Sequence, residues 1–167
     1  PIRNDVNSFA DLATHDLNII KFLFNKKIKL KKFIKQEKLK SNSGDIISAS
    51  FIVGDIPIDI TVSWLNPEKI RKITIITDKN MILFDEMNLE KPIKIFNNYA
   101  SYPKLSKFTK SYFSQKAFTY KGKSKHIKLN GSKPLDNEIL DFINDKKYIS
   151  DLNFSSDIIK IANKIIN

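Results

Sequence analysis

Four polar residues near the start of this sequence recur at close to one-turn spacing: Asn7, Asp11, His15 and Asn18. In an α-helix, positions four apart are rotated by only about 40° around the axis, so Asn7, Asp11 and His15 form one polar ridge with Asn18 a little further round. Imidazole titrates near neutrality, and a carboxylate one turn away orients it and favours its protonated form. Those are the properties a general base for a hydroxyl proton needs. Two readings of the ridge stand side by side. Asp11 and His15 are an acid/base pair, or they are the solvated face of a helix whose other face carries Leu12, Ile19 and Leu23. Spacing alone does not separate the two, because a carboxylate four residues from a histidine is a common accident.

The elements that must hold this ridge follow from periodicity. Phe9, Leu12, Ala13, Ile19, Ile20 and Leu23 predict a helix from Asn7 to about Phe24, with Asn7 or Ser8 as its cap. The Lys-rich stretch Asn25 to Lys40 suits a half-exposed edge strand. After a polar turn at Ser41 to Gly44, Ile46 to Val53 and Ile56 to Leu65 read as strands joined through Gly54 and Asp55; Ile56, Ile58, Ile60, Val62 and Trp64 share one face. Further strands are expected around Lys72 to Thr77, Met81 to Phe84, Pro92 to Phe96 and His126 to Leu129. Asn97 to Thr109 reads as irregular, and Tyr112 to Tyr120 as an aromatic-rich segment. Helices are expected from Pro134 to about Asn144 and from Ser155 or Ser156 onward. The fold class is α+β: an open, mainly antiparallel sheet with helices packed on one face, in one domain over residues 1–167.

Composition removes several function classes. With 41% hydrophobic residues the 167-residue chain has enough apolar mass for a core, and no apolar run is long enough to span a bilayer. The expectation is a soluble, cytoplasmic protein, and Pro1 in place of Met points to a chain trimmed by one residue or excised from a longer one. Without cysteine there is no disulfide, thiolate zinc site, iron–sulfur cluster or thiol nucleophile. The four glycines are too far apart for a glycine-rich phosphate loop. A net charge of +11 raises nucleic acid as a partner, but of the 29 basic residues only Arg3 and Arg71 are arginine, and base-edge or bidentate phosphate recognition usually employs arginine.

Three stretches resemble one family. PIRNDVNSFADLATHDLNIIKFLF, from Pro1 to Phe24, is similar to the start of the C-terminal domain of the Gfo/Idh/MocA oxidoreductases, in the branch acting on nucleotide sugars. VSWLNPEKIRKITIITDKNMILFDE, Val62 to Glu86, resembles a strand-rich segment of the same domain, and KPLDNEILDFI, Lys133 to Ile143, resembles the segment before its last helix. Lys133 stands where that branch usually has Glu, and Asp78-Lys79-Asn80 replaces a glycine-containing turn. The resemblance implies a substrate-side half whose partner is an N-terminal Rossmann domain carrying the glycine fingerprint and a catalytic lysine.

For the full-length enzyme it implies hydride transfer between a sugar carbinol carbon and NAD or NADP, with no cofactor bound by this chain alone. By motif match His15 is the acid/base and Asp11 orients it or the substrate. Arg3, Asn4 and Asn7 hold the sugar or its anionic groups, Arg71 is structural, and His126 has no role. Homo-oligomerisation through the sheet is also implied. Two other functions remain open on the sequence: a stand-alone binding or scaffold module that kept this fold without the chemistry, and a basic nucleic-acid-binding module.

Overall fold

A computed structural model describes residues 5–39, 44–101, 118–128, 134–144 and 152–166. Arg3, Asn4 and most of the aromatic-rich segment lie outside the described residues. The elements in chain order are a π-helical segment at Phe9–Ala13, α1 (Thr14–Phe24), β1 (Ile28–Gln36), β2 (Ile46–Val53), β3 (Ile56–Ser63), β4 (Lys72–Ile76), β5 (Asn80–Asp85), β6 (Ile93–Ser101), β7 (Phe118–Ile127), α2 (Pro134–Ile143) and α3 (Leu152–Ile166). The class is α+β, with open antiparallel sheets, as the periodicity predicts. The strands divide into two sheets, ordered β1-β2-β3 and β4-β5-β6-β7. Contacts group the chain into two compact units, Pro1–Pro67 with Glu138–Asn167, and Glu68–Asn137.

In the first unit, β2 alternates strictly: Ile47, Ala49, Phe51 and Val53 are buried, and Ile60 and Val62 of β3 join them. The π-helical segment, α1 and α3 cover this one face, contributing Phe9, Ala13, Leu17, Phe154, Ile158 and Ile165 to a single core. On the outer face the β2–β3 ladder is polar, with Ser48 and Thr61 hydroxyls 3.0 Å apart and Ser50 donating to Asp59 at 2.6 Å. The apolar residues of β2 on that face are Ile46 and Ile52.

The β2–β3 hairpin turns at Gly54, whose φ of +63° falls on the first turn residue, as a type II′ turn requires. In β1 the register slips between Leu30 and Lys32: Leu30 faces Phe51 and Phe33 faces Ala49, three residues apart where a regular strand allows two. This bulge keeps Lys32 off the inner face.

The first helix departs from its expected register. Leu17 is fully buried while Leu23 is 52% exposed, where the sequence pattern placed Leu23 in the apolar stripe. The reason is the π-helical segment, whose i→i+5 bonding takes one more residue per turn and so rotates everything downstream. Buried positions then run Phe9, Ala13, Leu17 and Ile20.

In the second unit, β6 continues to Ser101 through residues whose pattern reads as irregular, and β7 starts well before His126. Each exists through the other, as in the pairing of Ala100 with Thr119 and Ser101 with Phe118. Gly122 and Lys123 stand opposite Asn97 alone, and a Cβ on Gly122 would collide with the Asn97 carbonyl. The β4–β5 turn dispenses with glycine because the Thr77 hydroxyl accepts from Asn80 N–H at 2.9 Å and bonds the Asn80 carbonyl oxygen at 3.1 Å. Arg71 reaches Glu86 at 3.3 Å beside a backbone bond between the same residues, a structural pairing. The helix from Pro134 forms, as its sequence predicts, and its Phe142, which belongs to the first unit, is 87% exposed. No described helix is long and apolar enough to cross a membrane.

The register of the first helix is directly testable. Leu17→Ala is expected to cost about 2–5 kcal/mol and Leu23→Ala less than about 1 kcal/mol in urea denaturation; equal costs would restore the uninterrupted α-helical pattern.

Candidate active site

The polar ridge is built on the entry to the first helix, and that entry is held from two sides. Asn7 is 6% exposed, and its Oδ1 accepts the Ala10 N–H at 2.9 Å, which caps the helix. Ser8, the other candidate cap, does something else. It is fully buried, and both its backbone N–H (3.2 Å) and its hydroxyl (2.5 Å) donate to the Gly44 carbonyl. Gly44 has a left-handed φ of +57°, and a Cβ there would press on Asn7, Lys35 and Ile47 at 3.0–3.3 Å. Next to it, Asp45 is fully buried: its Oδ2 accepts the N–H groups of Lys38 (2.6 Å) and Leu39 (2.7 Å), and its carbonyl accepts the Trp64 N–H at 3.0 Å.

This frame brings Trp64 to Asp11. The indole N–H donates to Asp11 Oδ2 at 3.0 Å, so the carboxylate at the middle of the ridge is fixed by a residue at the end of β3. The sequence reading gave Asp11 a role toward His15 or the substrate; in the structure one of its oxygens is committed to Trp64. His15 lies one residue into α1, is exposed, and makes no side-chain hydrogen bond among the described residues. Asn18 is half-buried.

The structure therefore ties Asn7, Asp11 and Trp64 into one frame and leaves His15 open to solvent on the same helical entry. Arg3 and Asn4 lie outside the described residues, and His126 is on β7, paired opposite Lys94. Among the described residues no group of three His, Asp or Glu is placed to hold a metal ion.

Sequence reasoning missed the parts played by Trp64, Ser8, Gly44 and Asp45. The signal available was weak: a glycine and an aspartate opening a strand, and a tryptophan just past the end of another.

Comparison with known proteins falls in line with this geometry. No protein-family model and no curated protein matches the sequence. Among solved structures, the UDP-N-acetylglucosamine 3-dehydrogenase GnnA from Acidithiobacillus ferrooxidans superposes with a TM-score of 0.70 at 15% identity, covering 99% of this chain and 49% of that one. The chain has the fold of one half of that dehydrogenase. The bond between Asp11 and Trp64 joins the stretches Pro1 to Phe24 and Val62 to Glu86 in space.

That bond is open to measurement. Asp11→Ala and Trp64→Phe are each expected to lower stability by about 1–3 kcal/mol, and the double variant by less than their sum. Trp64 is the only tryptophan, so Asp11→Ala is also expected to shift the intrinsic emission to longer wavelength. Strict additivity with unchanged emission would remove the bond as an organising contact.

Proposed function

We propose that this chain is the substrate-binding C-terminal domain, over residues 1–167, of an NAD(P)-dependent oxidoreductase that acts on a sugar hydroxyl, with a nucleotide sugar as substrate. The observation that carries the proposal is the match of nearly the whole chain to half of a nucleotide-sugar dehydrogenase, together with the order of the three family-like stretches.

Within this reading His15 takes the hydroxyl proton as the carbinol carbon is oxidised, and returns it in the reverse direction. Its exposure on the first turn of α1 leaves its ring nitrogens accessible to a substrate. Asp11 is a positioning residue: through Trp64 it fixes the helical entry relative to β3. Asn7 spends its carbonyl oxygen on the cap and retains its amide donor for the sugar, alongside Arg3 and Asn4.

The entry of the first helix is not offered as a dinucleotide site in this reading. At the N-terminus of the first helix the amides of Ser8, Ala10 and Asp11 are already taken by Gly44 and Asn7, so they form no cradle for a pyrophosphate. In this reading NAD or NADP belongs to the Rossmann half, and no step through it is assigned to this chain.

In the chain joined to its Rossmann half, His15→Asn is expected to lower kcat by about 10²- to 10⁴-fold with KM and thermal stability nearly unchanged, while His126→Asn has little effect. Normal turnover by the His15→Asn enzyme would overturn the assignment. Self-association through the sheet belongs to the same proposal, and light scattering at micromolar concentration is expected to give a species larger than the monomer; a uniform monomer removes it.

A further inference from the structure

Away from the helical entry, the turn between α1 and β1 faces the exposed side of α3 across an open cleft of about 800 Å³. Among the described residues five lysines line it, Lys21, Lys26 and Lys27 from one wall and Lys160 and Lys164 from the other, with Asp157 as the one carboxylate. All belong to the first compact unit.

Two of these lysines have a local explanation. Lys21 and Lys164 sit in the last turns of α1 and α3, where a cation complements the helix dipole. Lys21 is further held by Asp157 at 2.6 Å and lies 4.9 Å from the centre of the Phe154 ring. Lys26, Lys27 and Lys160 have no such account, and among the described residues none of the three, nor Lys164, makes an ion pair. Lys26 is nevertheless placed: its side chain lies across Gly54, where an added Cβ would come within 3.0 Å of its Cδ and 3.1 Å of its Nζ. Like charges gathered around a concave surface repel one another and concentrate a positive potential there. Lys21, by hydrogen bond and by charge, holds the Asp157 carboxyl below the usual carboxylate range; desolvation opposes this, and the charges of Lys160 and Lys27 add smaller contributions in the lowering direction.

We propose that this cleft binds the phosphate chain of a small oligophosphate anion, with Lys26, Lys27, Lys160 and Lys164 as its ligands. The chemistry of the lining selects that class. Ammonium groups engage phosphate oxygens as point charges from several directions, whereas no arginine among the described residues lines the cleft to recognise a single phosphate or carboxylate bidentately. Among the described residues no aromatic side chain lines the cleft, so these supply no platform on which a nucleobase would stack. Lys21 is already neutralised by Asp157 and serves to hold the two walls together, since the pair bridges α1 and α3. This site does not rest on the dehydrogenase reading and stands or falls separately from it.

The test is isothermal titration of the 167-residue chain with inorganic tripolyphosphate at low ionic strength. One saturable site is expected, weakening as salt is added. Lys160→Gln/Lys164→Gln and, from the opposite wall, Lys26→Gln/Lys27→Gln are each expected to weaken binding by about tenfold or more. All four side chains are exposed, so circular dichroism and melting should be unchanged. Lys91→Gln/Lys125→Gln removes the same charge from exposed positions in the other unit and is expected to leave the affinity within about twofold. Absence of a saturable site, or equal weakening by all three pairs, would overturn the proposal, the latter by showing only diffuse attraction. It would equally be overturned if single-stranded oligonucleotides displaced tripolyphosphate with an affinity that grows with length, since that would make the cleft part of a nucleic-acid surface.

Discussion

Buried backbone at Gly44 and Asp45 has no water to satisfy its polar groups, and the partners it recruits instead determine where the helical entry, the end of β1 and the end of β3 lie. The Gly44 carbonyl takes two donors from Ser8, the Asp45 carbonyl takes the Trp64 amide, and the Asp45 carboxylate takes the amides of Lys38 and Leu39. A buried carboxylate is tolerated only when it accepts hydrogen bonds of this kind, and a left-handed residue without a Cβ is what lets the chain pass so close to Asn7. These two residues tie together three segments: the helical entry, the residues just after β1 and the end of β3. Without that junction Asp11 and Trp64 would have no reason to meet.

A second constraint acts along the helix. An uninterrupted α-helix starting at Asn7 would carry Leu23 into the core and leave Leu17 aside, whereas the π-helical segment turns the chain so that Phe9, Ala13, Leu17 and Ile20 face β2. Phe9 then meets Phe51 with ring centres 6.1 Å apart. Single π-helical turns within helices are frequent at functional sites. Here it carries Asp11 itself, and it delivers His15 to the first turn of the α-helix that follows.

The basic character of the chain divides in the same manner. Many lysines serve edge protection or solvation, as along β1, and one salt bridge, between Lys21 and Asp157, links α1 to α3. Where the α1–β1 turn and α3 face each other, ammonium groups without an ion pair among the described residues converge on a cavity. Net charge by itself carried no information about that place.

What the amino-acid sequence determined by itself was local and periodic: the alternation of β2, the turn at Gly54, the helices from Pro134 and over Ile158 to Ile165, and the α+β class that follows from their order. The one-turn spacing of Asn7, Asp11 and His15 was also legible, as was the likeness of three stretches to a dehydrogenase family. Tertiary structure decided the rest, because the deciding contacts lie between residues remote in sequence. The full lengths of β6 and β7 come from pairing with each other, since neither Asn97 to Ser101 nor the residues before His126 alternate strongly enough to announce a strand. The partition of the strands into two sheets, the rotation of the first helix by its π-helical turn, and the commitment of Asp11 to an indole 53 residues away have the same origin. Each is settled by buried polar groups and apolar faces finding partners, a constraint that acts only once the chain has closed on itself.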